Sequence, residues 1–138
     1  MASKTKQVGT IGELAIAQDL IVRGFDVYTS VGDNAKADLV AVYGTTTYRI
    51  QVKTTSHVSK GVVCVGGAKY VAGKQVTYEA NDVDIIAAYV AQEKLIAYIP
   101  ISEFLTNSKS RTLVLRVEPP KRNKKNARYL KDYTNLSM

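Results

Sequence analysis

At 138 residues, 46% of them hydrophobic, the chain is long enough for one domain whose core needs neither disulfides nor a structural metal. A lone cysteine, Cys64, rules out an internal disulfide framework, and no apolar run approaches the roughly 18 residues of a transmembrane helix. Of the net charge of +7, six units fall between Pro119 and Lys131, a stretch with six basic residues and no acid.

The polar start, Met1 to Gln7, lacks the apolar core of a secretory signal, so cytoplasmic residence is the expectation. The first predicted element is a helix over Val8–Arg23, capped by Thr5 or Thr10 and ended by Gly24. Ile11, Leu14, Ala15, Gln18, Ile21 and Val22 follow helical spacing on one apolar face, and Ile16, Ala17 and Leu20 form a second arc. With two such arcs, much of the helix is expected to be covered. Phe25–Ser30 reads as a strand and Val31–Lys36 as a polar loop.

Asp38–Tyr43 and Tyr48–Lys53 read as two strands joined by a turn over Gly44–Thr47. Residues 54–80, rich in Gly, Val, Lys and Thr, are expected to form short strands with exposed loops. Asp84–Val90 and Lys94–Pro100 form a second hairpin around Ala91-Gln92-Glu93. Ile101–Leu105 follows as a short helix and Thr112–Val117 as a last strand. A helix followed by several strands predicts an α+β domain with a mixed central sheet.

Chemistry concentrates on the first hairpin. If Tyr43 pairs with Tyr48, Asp38 lies opposite Lys53, and the alternation of a strand places Arg49, Gln51 and Lys53 on that same face. A one-residue slip would send Asp38 to the other side. Asp38 and Gln51 offer hard oxygen donors suited to Mg²⁺, with Mn²⁺ as a substitute. Such an ion acidifies a bound water and offsets charge on a phosphate. Lys53 beside it can orient or deprotonate the water, or stabilise the developing charge. Glu13 falls between Ala17 and Leu20 on the helical wheel, inside the second arc, where a carboxylate needs a partner or a cation. An exposed first-turn glutamate is the competing reading.

Taken together, Gly12-Glu13-Leu14, Gly24-Phe25-Asp26-Val27, Gly32-Asp33-Asn34 before Asp38-Leu39-Val40, and Ile50-Gln51-Val52-Lys53 resemble the PD-(D/E)xK nuclease superfamily. The resemblance implies a restriction-endonuclease-like fold, phosphodiester hydrolysis and a metal site at Asp38, Gln51 and Glu13, with Lys53 as the fourth catalytic member. Ala37 replaces the name-giving proline, and Gln51 stands where an acid is usual, which removes one negative charge from the site. A Gln-x-Lys version is similar to a homing endonuclease type carried by a cyanobacterial group I intron. That similarity extends through Asp82-Val83-Asp84, Tyr98-Ile99-Pro100 and Leu115 to Lys121.

The chain divides on charge into a nuclease domain, 1–118, and a basic C-terminal tail, 119–138. Lys121, Arg122, Lys124, Lys125 and Arg128 in that tail read as a footprint for double-stranded DNA, a solvated chain end being an equal reading of the charge alone. With no apolar stripe in it, the segment gives no sign of a membrane role. Lys60, Lys69 and Lys74, with His57 and Gln75, mark the 54–77 stretch for groove contacts. His57 is assigned a structural or phosphate-contacting role, Cys64 packs as a small apolar side chain, and Asp82 and Asp84 cap turns. With one site per chain, cutting both strands requires at least two subunits or sequential nicking; a homo-oligomer is the expectation, and the resemblance points to a tetramer, a dimer being the alternative. A Holliday-junction resolvase and an inactive DNA-binding module are the rival functions.

Overall fold

The computed structural model describes residues 3–32, 34–105, 112–120, 122 and 127–136. Helix α1 spans Lys4–Val22, one turn earlier than its apolar periodicity predicts. Ser3 is the cap, its Oγ accepting the Lys6 N–H at 3.3 Å, which satisfies one of the helix's orphan donors. Thr10 instead lies within the helix and bonds back to the Lys6 carbonyl. At the other end Gly24 takes φ +98°. Its N–H reaches Ile21 O and that of Phe25 reaches Leu20 O, the paired closure that a left-handed glycine permits.

The strands are β1 (Asp26–Thr29), β2 (Leu39–Tyr43), β3 (Thr46–Thr55), β4 (Val62–Gly66), β5 (Ala68–Val71), β6 (Lys74–Thr77), β7 (Ile85–Val90), β8 (Leu95–Pro100), β9 (Thr112–Arg116) and β10 (Arg128–Tyr129). Helix α2 is short, Ser102–Leu105, and a 3-10 turn covers Leu130–Tyr133. Five strands form the central sheet in the order β1-β2-β3-β7-β8. β3 and β7 run parallel and the other pairs antiparallel, so the sheet is mixed as expected. β10, β9 and β4 make a second sheet, and β5 with β6 a separate ribbon.

The first hairpin turns on two residues rather than four. Gly44, at φ +60°, allows the tight turn, and the β-branched Thr46 and Thr47 join the strand. Tyr43 therefore pairs with Thr46 and Ala41 with Tyr48, a register two residues from the expected one. An even displacement leaves every side chain on its face, so the grouping of Asp38 with Gln51 and Lys53 survives.

α1 packs on one side of the central sheet through Ile16 and Leu20 against Leu39, Ala41, Ile50 and Val52. The opposite side, through Ile86, Ala88 and Ile99, joins Val63 and Leu115 of the second sheet. β7 lies between both layers and is buried at all six residues, as a continuous apolar run requires.

The second apolar arc of α1 faces the core, joined from the first only by Ala15 among the described residues. Ile11, Leu14, Ile21 and Val22 stay 54–79% exposed, contrary to the expectation that most of the helix is covered. Cys64 is also exposed; with Val63 and Val65 buried on the same strand, the alternation turns it outward. The charge-based boundary at 118/119 falls within a continuous fold: β10 pairs in parallel with β9 and Leu130 is buried. Arg23 of α1 holds the end of the chain, donating to Thr134 O at 2.7 Å and, at 3.4 Å, to Asn135 Oδ1. Among the described residues no helix is long and apolar enough to cross a membrane.

Candidate active site

β2 stops at Leu39, opposite Ile50, while β3 continues to Thr55 alongside β7. Residues 51–55 thus keep a strand neighbour on one side only. Asp38 stands in the first place past the end of β2. Its N–H donates to Ile50 O at 2.8 Å, and its Oδ2 accepts the Val52 N–H at 2.9 Å. The carboxylate thus takes over a ladder position that β2 no longer fills, which fixes its orientation against β3.

Gln51 and Lys53 share one face of β3, while Ile50 and Val52 point the other way, under α1. The Gln51 amide nitrogen donates to Val52 O at 3.3 Å. Lys53 Nζ donates to Ala68 O at 3.0 Å and lies 5.1 Å from the Tyr78 ring centroid.

Glu13 is half-buried on α1, well past the first turn, so the exposed first-turn reading does not apply. Burial, and after it the charge of Asp38, pushes its carboxyl above the ordinary value. Helix and loop thereby bring two carboxylates into one electrostatic neighbourhood. Burial, followed by Asp38 and then Asp82, pushes the Tyr78 phenol up to about 12, so Tyr78 belongs to the same neighbourhood as a neutral hydroxyl. Its distance of 25 residues from Lys53, in the segment hardest to place by pattern, hid it from sequence reasoning.

Among the described residues no three His, Cys, Asp or Glu side chains gather to hold an ion. The candidate donors are two carboxylates, Glu13 and Asp38, and the amide carbonyl of Gln51. All are hard oxygens, and Mg²⁺ commonly takes one or two carboxylates and keeps its waters. A divalent cation would also relieve the mutual repulsion of Glu13 and Asp38. The donor set fits such an ion.

Asp82 and Asp84 serve the fold. Asp84 accepts from the Arg49 N–H and guanidinium, and Arg49, through its hydrogen bond, holds the Asp84 carboxyl below its ordinary value. Asp82 accepts from Glu79 N and Lys36 Nζ. His57 is exposed and bonds its neighbour Ser56.

Of the basic residues picked out for DNA, Lys60, Lys74 and Arg122 are exposed. Lys60 and Arg122 line a cleft of about 1050 Å³ to which Glu93 and Glu118, and none of Glu13, Asp38, Gln51 or Lys53, also contribute. Arg128 is ion-paired with Glu103 at 3.4 Å, so its charge is partly spent inside the fold. Lys121, Lys124 and Lys125 lie outside the described residues, as does the side chain of Lys69. The β5–β6 ribbon starts at the site itself: Ala68 carries the carbonyl that Lys53 bonds.

A model of the PD-(D/E)XK endonuclease family matches residues 3–136. A bacterial homing endonuclease, I-Ssp6803I, superposes with a TM-score of 0.76 at 26% identity, over 95% of this chain and 88% of that one. Hjc, a Holliday junction resolvase from the archaeal hyperthermophile Archaeoglobus fulgidus, superposes with a TM-score of 0.50 at 16% identity, over 78% and 83% respectively. That second likeness is one of fold. A search of curated protein sequences finds no match.

Proposed function

Because the chain belongs to the PD-(D/E)XK endonuclease family, we propose that it cuts double-stranded DNA site-specifically, in the manner of a homing endonuclease, with Mg²⁺ held by Asp38, Gln51 and Glu13. The observation that carries this reading is Asp38, anchored on the Val52 N–H at the open edge of β3 and electrostatically coupled to Glu13. A bound divalent ion would acidify a coordinated water and offset charge on the scissile phosphate.

The chain's own groups do the rest. Asp38 and Glu13 set the negative field that draws the cation, and Gln51 adds a neutral carbonyl. Lys53, held by Ala68 O and the Tyr78 ring, acts as a fixed cation that stabilises negative charge on the phosphate, in preference to a base. The β5–β6 ribbon, with Lys74 and Gln75 exposed, is the element we assign to a groove. Lys60, Lys69 and the basic residues Lys121, Arg122, Lys124 and Lys125 are assigned to phosphates, with Arg128 a weaker contributor because of Glu103.

The test is incubation with a duplex library and a synthetic four-way junction, with Mg²⁺ and with chelator. Metal-dependent double-strand breaks at a fixed sequence are expected. Cutting confined to the junction would make the chain a resolvase. Binding without cutting in either Mg²⁺ or Mn²⁺ would make it an inactive DNA-binding module, the rival motivated by the missing acid at Gln51.

Cutting both strands in one encounter takes two sites, so we assign a homo-oligomer, dimer or tetramer, in preference to sequential nicking by one chain. The outer face of α1 is the surface we assign to it. Val8, Ile11, Leu14, Ile21 and Val22 are 36–79% exposed there, and helical spacing puts no charge on that face between Gln7 and Val22. Such a face offers nothing to a polyanion and is its own complement in a second copy. Leu14→Glu is expected to shift the protein to monomer in sedimentation and to leave nicks instead of double-strand breaks. An unchanged mass removes this face from the assembly.

A further inference from the structure

Gly12 is buried in α1 where the helix crosses β3. A Cβ at this position would lie 1.8 Å from Thr54 Oγ1, 3.0 Å from its Cβ and 3.2 Å from its Cγ2. The three nearest atoms all belong to one side chain, and that side chain follows Lys53. Two of the three staggered positions of Thr54 present Oγ1 or the methyl, and the third, which turns only a hydrogen toward the helix, still leaves its Cβ at a tight 3.0 Å.

Thr54 Oγ1 is also buried without a hydrogen-bond partner among the described residues. A fully enclosed orphan hydroxyl is uncommon. It shows how closely α1 seats on β3 here, since the helix backbone covers this oxygen and supplies no donor. Gly9, one turn earlier, has nothing within 4 Å of its Cβ position, so the demand for a missing side chain is local to residue 12. The next residue is Glu13.

We propose that Gly12 is a positioning residue of the active site: its lack of a side chain seats α1 on Thr54 at the depth that carries Glu13 to Asp38. This rests on the reading of Glu13 as part of the metal site. Alanine at position 12 must drive Thr54 out of its rotamer and widen the 3.0 Å contact with its Cβ, or, where the rotamer holds, lift the helix or push β3 aside. Displacements of about 1 Å in a catalytic constellation can cost 100-fold in rate. Helix propensity works in the opposite sense, since alanine is the better helix former, so a loss on Gly12→Ala has to come from the displacement.

The test compares Gly12→Ala, Thr54→Ala, the double variant and Glu13→Gln. The readouts are Mn²⁺ binding by calorimetry, the Mg²⁺ concentration for half-maximal cleavage, and circular dichroism. Gly12→Ala is expected to keep the wild-type spectrum and to weaken metal binding about tenfold or more, the range for residues that orient metal ligands. Thr54→Ala should behave as wild type, and the double variant should regain most of the lost affinity. Should Gly12→Ala not fold, Thr54→Val places a methyl against Gly12 and should weaken metal binding in the same direction. Unchanged affinity in Gly12→Ala, or in Thr54→Val where that stands in, overturns the proposal while a loss in Glu13→Gln keeps the metal-site reading. No recovery in the double variant overturns it equally. An inert Glu13→Gln removes Glu13 from the site, and the positioning role falls with it.

Discussion

Replacing Asp38 with alanine is expected to abolish Mg²⁺-dependent cleavage, by more than the roughly 100-fold lost when a residue that merely orients a metal ligand is changed. The same carboxylate has a part in the fold, because its Oδ2 accepts the Val52 N–H at 2.9 Å where β2 has already ended. Alanine leaves that nearly buried donor without its acceptor, at about 1–3 kcal/mol of stability. Asp38→Asn is therefore the sharper variant. Its side-chain oxygen can still take the Val52 N–H while the negative charge is gone. Asp38→Asn should melt near the wild-type temperature, retain DNA binding in a mobility-shift assay and cut nothing. Undiminished cutting by Asp38→Asn would remove the Asp38 charge from the mechanism.

The second large effect is expected at Gln51. Gln51→Ala loses one oxygen donor and should raise the half-saturating Mg²⁺ concentration about tenfold or more. Gln51→Glu adds a third negative charge beside Glu13 and Asp38 and gives up the hydrogen bond from the amide nitrogen to Val52 O. Without metal this variant should be less stable than wild type, because like charges crowd and a carboxylate faces a carbonyl. With Mg²⁺ it should bind more tightly, so its melting temperature should rise further on metal addition than that of wild type. Cleavage can fall even so, since extra negative charge repels the phosphate; the melting shift is the cleaner measurement. An inert wild type with an active Gln51→Glu identifies the chain as an inactive module. Equal metal response in all three proteins takes Gln51 out of the ligand set.

Asp38, Gln51 and Lys53 were legible as a group because strand alternation has a period of two. The turn proved two residues shorter than expected and the register moved with it, yet an even displacement preserves faces. The hairpin of β7 and β8 and the stop at Gly24 were equally local, resting on apolar runs bounded by turn-forming residues. Their physics acts over a few residues, and a few residues suffice to read it.

What the sequence left open was decided by contacts between distant segments. α1 carries two apolar arcs of similar strength, and periodicity alone cannot rank them. The arc that is buried borders Gly12, where a bare backbone lets β3 close in, and the arc with Ile11, Leu14, Ile21 and Val22 remains outside. Tyr78 joins the site because the chain returns along the β5–β6 ribbon and places its ring under Lys53. Arg128 looked like one more charge in a basic tail until the fold set it against Glu103. The sequence by itself determined the helix, the hairpins and the shared face of Asp38, Gln51 and Lys53. Which side of α1 is buried, how deeply it seats and what surrounds Lys53 are settled only by tertiary packing, because each depends on the shape of a partner surface that lies far away in the chain.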